Sequence, residues 1–107
     1  MRKMCAAAVA AVLACGTVAS AHVPEACVPA MNAWLDAKNV VLESVKQDAR
    51  LRDELNALME TYGTEGGATD AELDVVDANL WVSERATARA RKAEITAFHD
   101  VWNCVSG

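Results

Sequence analysis

The chain has 107 residues, with 15 acidic and 10 basic side chains and a formal net charge of −5 at pH 7. This length allows one small domain. The excess of acids argues against sequence-independent nucleic-acid binding, which depends on neutralising phosphates, and against attachment to anionic lipid through charge alone.

The first 21 residues have the features of a cleaved secretory signal peptide. Met1-Arg2-Lys3 is a basic start, Met4 to Leu13 is an apolar stretch too short to span a bilayer, and Ala19-Ser20-Ala21 supplies the small residues that a signal peptidase needs. The sequence therefore predicts a periplasmic or secreted protein that begins at His22. Without residues 1–21 the chain keeps eight bases against 15 acids, a net charge of −7.

A second processing site gives a different prediction. Val12-Leu13-Ala14-Cys15 resembles a bacterial lipobox, in which Cys15 would carry lipid and become the first mature residue. Leucine before the small residue fits that motif poorly, whereas the Ala-Ser-Ala site fits a signal peptidase well, so soluble export is favoured. Lipidation at Cys15 would instead anchor the protein to the cell envelope.

Residues 22–107 are predicted to form one all-α domain, a hairpin of two antiparallel helices. The first helix covers about 29–62; it starts at Pro29, a residue type favoured in the first turn, and Gly63 follows its end. A glycine-rich turn covers 63–69. The second helix covers about 70–104 and is preceded by Thr69, which with Glu72 matches a capping box.

Apolar residues recur at three- and four-residue steps along both helices, as expected for helices that bury one face. In the first helix they are Met31, Trp34, Leu35, Val41, Leu42, Val45, Ala49, Leu51, Leu55, Leu58 and Tyr62, and in the second they are Leu73, Val76, Leu80, Ile95, Phe98, Trp102 and Val105. The middle of the second helix carries a face of small residues, Ala86, Ala90, Ala93 and Ala97, which would let another helix approach closely.

Cys27 and Cys104 lie on either side of the turn. They are the two cysteines left after signal cleavage, and an even pair in an exported chain is expected to form a disulfide. Their midpoint falls inside the turn, so the hairpin should pair residues whose numbers add up to about 131. That register pairs Trp34 with Phe98, Leu35 with Ala97, Val45 with Ala86 and Leu58 with Leu73.

A two-helix hairpin encloses little core, and each helix carries more apolar surface than one neighbour covers. We expect Trp81, Leu35 and Leu42 to stay partly exposed. The sequence therefore predicts either self-association, most simply into a dimeric four-helix bundle, or docking on another exported protein. The candidate partner-binding residues are Trp34, Val41, Trp81, Arg85, Arg89 and Lys92.

The basic residues in that set share one face of the second helix. In the predicted register Arg85, Arg89 and Lys92 lie near Glu43 and Asp48, so ion pairing between the helices is the simpler interpretation. The alternative is a basic stripe that meets an acidic partner or a lipid headgroup.

The sequence predicts no enzyme and no cofactor. It lacks a nucleophile-elbow serine, an HExxH pair, a phosphate-binding glycine loop and a haem-attachment site. The acids from Asp70 to Asp77 lack the glycine and spacing of an EF-hand and suit the positive end of a helix dipole instead. A non-enzymatic exported interaction protein is the favoured function, and a periplasmic holdase-type chaperone is the first alternative.

His22 supports one metal-binding hypothesis. Cleavage after Ala21 would give His22 a free amine beside its imidazole, and His99 would lie at the same, disulfide-closed end. An N-terminal His with a second His resembles the copper histidine brace of lytic polysaccharide monooxygenases and some periplasmic copper carriers. The resemblance implies Cu(II) binding by His22 and His99; because those families are built on β-sandwiches, copper is the less favoured alternative.

Overall fold

The computed structural model describes residues 23–107, so the predicted signal peptide, Cys15 and His22 lie outside the described residues. A short 3-10 turn at Glu25–Cys27 leads into helix α1, Val28–Thr61, and helix α2 covers Asp70–Ser106. The two helices pack against each other as a hairpin with extents of 67 × 26 × 14 Å. The predicted all-α hairpin is confirmed.

The turn between the helices uses backbone conformations that favour glycine. Gly63 and Gly66 have φ angles of 85° and 74°, a region that costs other residues about 1–2 kcal/mol. Thr61, the last residue of α1, accepts a hydrogen bond from the Thr64 N–H at 3.0 Å through its carbonyl and one from the Ala68 N–H at 3.0 Å through its hydroxyl. These bonds hold the chain as it reverses.

Helix α2 begins with the capping box that the sequence predicts. Thr69 Oγ1 accepts a hydrogen bond from the Glu72 N–H at 3.2 Å, and the Glu72 carboxylate accepts one from the Thr69 N–H at 2.9 Å. Because both N–H groups would otherwise have no partner in the first turn, the box fixes the start of α2 at Asp70.

A disulfide closes the other end of the hairpin. Cys27 and Cys104 have Cα atoms 5.7 Å apart and are joined across 77 positions of sequence, and Cys27 is buried. The predicted bond is therefore present in the structure. Turn and disulfide together set the register of the two helices, with paired residue numbers adding up to about 131.

The buried seam between the helices follows an unbroken pattern of alternating three- and four-residue steps. Its members are Trp34, Ala37, Val41, Ser44, Asp48, Leu51, Leu55 and Leu58 of α1, and Leu73, Val76, Leu80, Ser83, Thr87, Ala90, Glu94, Ala97, Val101 and Cys104 of α2. Each of these residues is buried or half-buried. This heptad spacing is typical of helices that pack along a coiled-coil seam, and the two helices of the hairpin run antiparallel along it.

The structure corrects the predicted apolar face of α2. Ile95, Phe98, Trp102 and Val105 are exposed, and the residue before each of them lies in the seam instead: Glu94, Ala97, Val101 and Cys104. In α1 the corresponding residues behave as predicted, since Leu35 and Leu42 are exposed beside Trp34 and Val41. Each helix carries two adjacent heptad rows, and one neighbouring helix covers only one of them.

The predicted interhelix pairs therefore stand at the predicted heights along the hairpin, but not every paired residue enters the seam. Trp34 contacts Phe98, with ring centroids 5.5 Å apart, and Leu58 and Leu73 are both half-buried in the seam. Leu35 is exposed and does not enter the seam beside Ala97. Val45 is also exposed, whereas Ala86 lines a groove with Gln47 on the other side of the hairpin.

Candidate interaction face

A polar layer occupies the middle of the seam. Asp48 is only 4% exposed, and its carboxylate accepts a hydrogen bond from the Ser83 hydroxyl at 2.5 Å. Thr87 is buried beside them, with its hydroxyl 3.1 Å from the Ser83 carbonyl oxygen. A buried carboxylate is tolerated here because hydrogen-bond donors from α2 satisfy it.

The surroundings of Asp48 keep it ionised. Burial raises the pKa of its carboxyl, but the hydrogen bonds of Ser83 and Thr87 and the positive charges of Arg52 and Arg91 together outweigh burial, so the pKa lies below the ordinary value of 3.8. At neutral pH a negative charge therefore sits in the seam. The hydrogen-bond donors to the Asp48 carboxylate belong to α2, so this carboxylate helps to fix the alignment of the two helices.

A second apolar row runs beside the seam on each helix, formed by the residues that directly follow seam residues. A step of one residue turns a helix by about 100°, and in an antiparallel pair that turn leads to the same side of the hairpin on both helices. An ion pair demonstrates this geometry. Arg52 and Glu84 each follow a seam residue, and Arg52 Nη2 lies 2.5 Å from Glu84 Oε2. The two rows therefore form one continuous face.

We call this side the apolar face. Its exposed large apolar side chains are Val28, Leu35, Leu42, Val45 and Met59 of α1, and Trp81, Ile95, Phe98, Trp102 and Val105 of α2. Two tryptophans on this face are well exposed: the exposed fraction is 59% for Trp81 and 62% for Trp102. The opposite side carries only three exposed large apolar residues among residues 23–107: Val40, Val75 and Val82. Exposed apolar surface is thus concentrated on one side.

The apolar face changes character along its length. The half nearest the disulfide carries most of the large apolar side chains. The half nearest the turn becomes acidic, where Asp70, Asp74 and Asp77 line a groove with Met59. In that groove the Tyr62 hydroxyl donates a hydrogen bond to Asp70 at 2.5 Å, and this bond and the Asp70 charge raise the pKa of Tyr62.

The three apolar or aromatic residues proposed for partner binding lie in different places. Trp81 is exposed, as are Leu35 and Leu42, in agreement with expectation. Trp34 is half-buried, and its indole N–H points to the Glu94 carboxylate at 3.4 Å. Val41 is 8% exposed. Because α2 covers it, Val41 is a core residue of the hairpin and is not available to a partner.

The basic stripe does not pair with the first helix as expected. Arg85, Arg89 and Lys92 are exposed on α2, and the Arg85 guanidinium stacks 4.6 Å from the centre of the Trp81 ring. The predicted acceptors have other partners: Glu43 pairs with Lys46 at 3.2 Å, and Asp48 accepts the Ser83 hydroxyl. Arg85 and Lys92 each lie two residues from the nearest seam residues of α2, and Arg89 directly precedes the seam residue Ala90.

The metal hypothesis receives no further support from the described residues. His99 is exposed, with its ring 6.3 Å from Phe98. Residues 23–107 contain no group of three or more His, Cys, Asp or Glu side chains arranged to hold a metal ion. The copper brace also requires His22, which lies outside the described residues, so it stays a prediction.

No helix within residues 23–107 is long and apolar enough to cross a membrane. The fold and the face define a disulfide-closed, two-helix hairpin whose exposed large apolar side chains are concentrated on one side. Comparison with known proteins gives no match to this chain among protein-family models, curated proteins or solved structures.

Sequence reasoning missed Asp48, Ser83 and Thr87 as interior residues. The signal was present in the spacing, since all three fall on the unbroken three- and four-residue steps that connect Val41 to Leu51 and Leu80 to Ala90. Because these three residues are polar, the spacing was instead assigned to the apolar row that lies one position further along each helix.

Proposed function

We propose that this chain is an exported, non-enzymatic interaction protein that binds a protein partner through its apolar face. The observation that carries the proposal is the concentration of ten exposed large apolar side chains on one side of the hairpin, most of them in the half nearest the disulfide. Soluble monomers rarely leave large apolar patches uncovered. Trp81, Phe98 and Trp102 are also of the aromatic types that are enriched at the centres of protein interfaces.

The size of the face is compatible with stable binding. Covering a half-exposed Leu, Ile or Phe side chain contributes about 1 kcal/mol, half of the value for complete burial. Ten such side chains supply a free energy comparable with the roughly 4–15 kcal/mol that association costs in lost translational and rotational freedom. Partial coverage of the face would give a weak complex, and full coverage a tight one.

Export is supported by the predicted signal peptide at 1–21 and by the Cys27–Cys104 bond, because disulfides persist in oxidising compartments. The intact mass of the protein recovered from exporting cells tests this part of the proposal. A chain beginning at His22 is expected. A chain beginning at an acylated Cys15 would make it a lipid-anchored envelope protein instead, and a full-length chain beginning at Met1 would contradict export.

The same exposed face favours a holdase-type chaperone as the second candidate. An interaction protein with a dedicated partner presents the face in one fixed arrangement, whereas a holdase covers apolar segments of many unfolded clients. The two functions therefore differ in the number of proteins that contact the same residue.

Site-specific photo-cross-linking in the exporting cell tests the proposal. A benzophenone amino acid replaces Ile95 on the apolar face or, as a matched control, Val82 on the opposite side; the two native side chains are 57% and 58% exposed. We expect one or a few discrete adducts from position 95 and none from position 82. A broad ladder of adducts at 95 would favour the holdase. Equal labelling at both positions, or none at 95, would contradict binding through the apolar face.

A further inference from the structure

The apolar face also carries positive charge. Lys38, Arg52 and Arg91 each directly follow a seam residue, so they lie in the same two rows as the exposed apolar side chains. Within 34–59 and 80–105, the one acid in these rows is Glu84. Over the same ranges, the residues that directly precede seam residues lie on the opposite side, where four acids stand against two bases: Asp36, Glu43, Glu54 and Asp100 against Arg50 and Arg89. Away from the turn, the rows of the apolar face are therefore positive and those of the opposite side negative.

The charged residues of the apolar face lie in regular layers along the hairpin. Arg52 and Glu84, which form a salt bridge across the hairpin, have numbers that add up to 136. Two layers nearer the disulfide have the same sum: Val45 with Arg91, and Lys38 with Phe98. Adjacent layers are seven residues apart, which is roughly 10 Å along a helix. In both of these layers the residue opposite the cation is therefore apolar.

Lys38 and Arg91 have no acidic partner within the described hairpin. Among residues 23–107 the basic side chains that form salt bridges are Lys46 and Arg52. Lys38 Nζ instead lies 5.1 Å from the centre of the Trp34 ring. One turn away on the same helix, both cations have apolar neighbours: Leu35 and Leu42 beside Lys38, and Ala88 and Ile95 beside Arg91. A partner that covers these apolar side chains therefore also covers both charges.

We propose that the partner lays an amphipathic helix along the apolar face, and that two acidic residues of this helix, about seven positions apart, pair with Lys38 and Arg91. This inference rests on the proposed function and names the chemistry of the partner. A buried charge without a partner is strongly destabilising, so an acid at each of the two layers is needed before the apolar side chains can be covered. A helix suits the face because apolar residues at heptad spacing on the partner would match the heptad rows of the hairpin.

A second copy of the chain and an anionic lipid bilayer fit these charges less well. Two apolar halves from separate copies would bring Lys38 and Arg91 of one copy close to those of the other, and like charges disfavour such an interface. An anionic bilayer would neutralise both cations, but the same face is acidic near the turn, where Asp70, Asp74 and Asp77 lie. A flat anionic surface would repel that half of the face.

Removal of the two charges tests the proposal in the exporting cell. The full chain carries the benzophenone amino acid at position 95, and the yield of its discrete adduct is measured with and without the double variant Lys38→Met/Arg91→Met. Methionine keeps an apolar chain of similar length but cannot pair with an acid, so the yield is expected to fall at least about tenfold. A partner held by apolar contacts alone would give an unchanged or higher yield, which would overturn the proposal.

The double variant Arg50→Met/Arg89→Met is the matched control. Both residues are exposed bases on the opposite side, so the net charge changes by the same amount and the adduct yield should stay unchanged. Because the Arg91 charge also acts on Asp48, the single variant Lys38→Met repeats the test with Arg91 in place and should also lower the yield. Circular dichroism of each purified variant verifies that it is folded.

The adduct itself reports the chemistry of the partner. Mass spectrometry of the cross-linked peptide should show two acidic residues about seven positions apart, and a segment without them would overturn the proposal. An adduct of two copies of this chain would overturn it too. So would sedimentation of the wild-type protein with phosphatidylglycerol vesicles that Lys38→Met/Arg91→Met abolishes, because it would assign the two cations to lipid.

The outcomes separate this inference from the function on which it rests. A discrete adduct with another protein that persists in Lys38→Met/Arg91→Met would refute the acidic helix and keep the proposed function. The absence of any adduct at position 95 in the otherwise wild-type chain would refute both.

Discussion

Ser83 donates a hydrogen bond to Asp48 across the hairpin at 2.5 Å, and their residue numbers add up to 131, as do those of Cys27 and Cys104. One register therefore satisfies the disulfide at one end and a buried carboxylate in the middle. A slip of one heptad would bring an apolar residue opposite Asp48: Val76 or Ala90 would lie at about the level of Ser83. A buried charge without donors is strongly destabilising, so the polar layer disfavours other alignments.

Replacing Asp48 tests its contribution. Asp48→Ala removes the acceptor of the Ser83 hydroxyl and is expected to lower the free energy of unfolding by about 1.5–3 kcal/mol, the range for hydrogen bonds to a charged group. Urea denaturation followed by circular dichroism measures the effect. The exposed acid Asp53 on the same helix gives the control, because Asp53→Ala should change stability by less than about 0.5 kcal/mol. Equal effects of the two variants would show that the layer adds no stability.

The low pKa of Asp48 predicts how stability depends on pH. The folded-state pKa is below the ordinary value of 3.8, so the contribution of Asp48 is fully present above that value and is lost as the pH falls through the folded-state pKa. The difference in unfolding free energy between the wild type and Asp48→Asn should therefore be constant from pH 7 to pH 5 and should shrink below about pH 4. Urea midpoints measured from pH 7 to pH 2 check this, and a difference that stays constant throughout would contradict it.

Breaking the disulfide should cost a large fraction of the stability. The bond spans 77 positions, and the loop-entropy model gives about 4 kcal/mol for a loop of this length. The double variant Cys27→Ser/Cys104→Ser should therefore unfold at a temperature tens of degrees lower, since 1 kcal/mol shifts the midpoint of a small domain by about 4–8 °C. Thermal denaturation of oxidised and reduced wild-type protein provides the comparison. A shift of a few degrees would mean that the turn and seam hold the hairpin without help from the bond.

The capping box makes a local prediction. Thr69→Ala removes the acceptor for the Glu72 N–H and should destabilise the hairpin by about 1 kcal/mol. Thr69→Ser keeps a hydroxyl at the same position and should be close to wild type. Chemical denaturation distinguishes the two variants, and equal losses in both would assign the effect to the Thr69 methyl group and not to the cap.

Two adjacent glycines in the turn should respond differently to alanine. A Cβ atom at Gly67 would lie 2.0 Å from the Thr61 carbonyl oxygen, whereas one at Gly66 meets nothing within 4 Å. Gly66→Ala should cost only the left-handed backbone penalty of about 1–2 kcal/mol, and Gly67→Ala should cost more, because the backbone of the turn must move. Unfolding free energies of the two variants test the order, and the reverse order would contradict the turn geometry.

Local signals explain how much of the fold could be predicted. The start of α2 at Asp70 follows from the side chains of Thr69 and Glu72, and the end of α1 follows from Gly63, without reference to distant residues. The Cys27–Cys104 pair gives the register, because a turn halfway between two cysteines brings them together. The apolar face could be recognised only in part, since Leu35 and Leu42 were identified as exposed but Ile95 and Val105 were not.

The sequence by itself thus determined the two helices, the position of the turn, the disulfide and the height of each residue along the hairpin. Only the tertiary structure decided which of two adjacent heptad rows lies between the helices. Composition favours the row of Leu35, Leu42, Ile95 and Trp102, but the hairpin buries the row of Val41, Asp48, Thr87 and Val101. The physical reason is that α1 and α2 can meet along one row only. The row that contains both Cys104 and the donors for Asp48 fills the seam, and the more apolar row remains exposed.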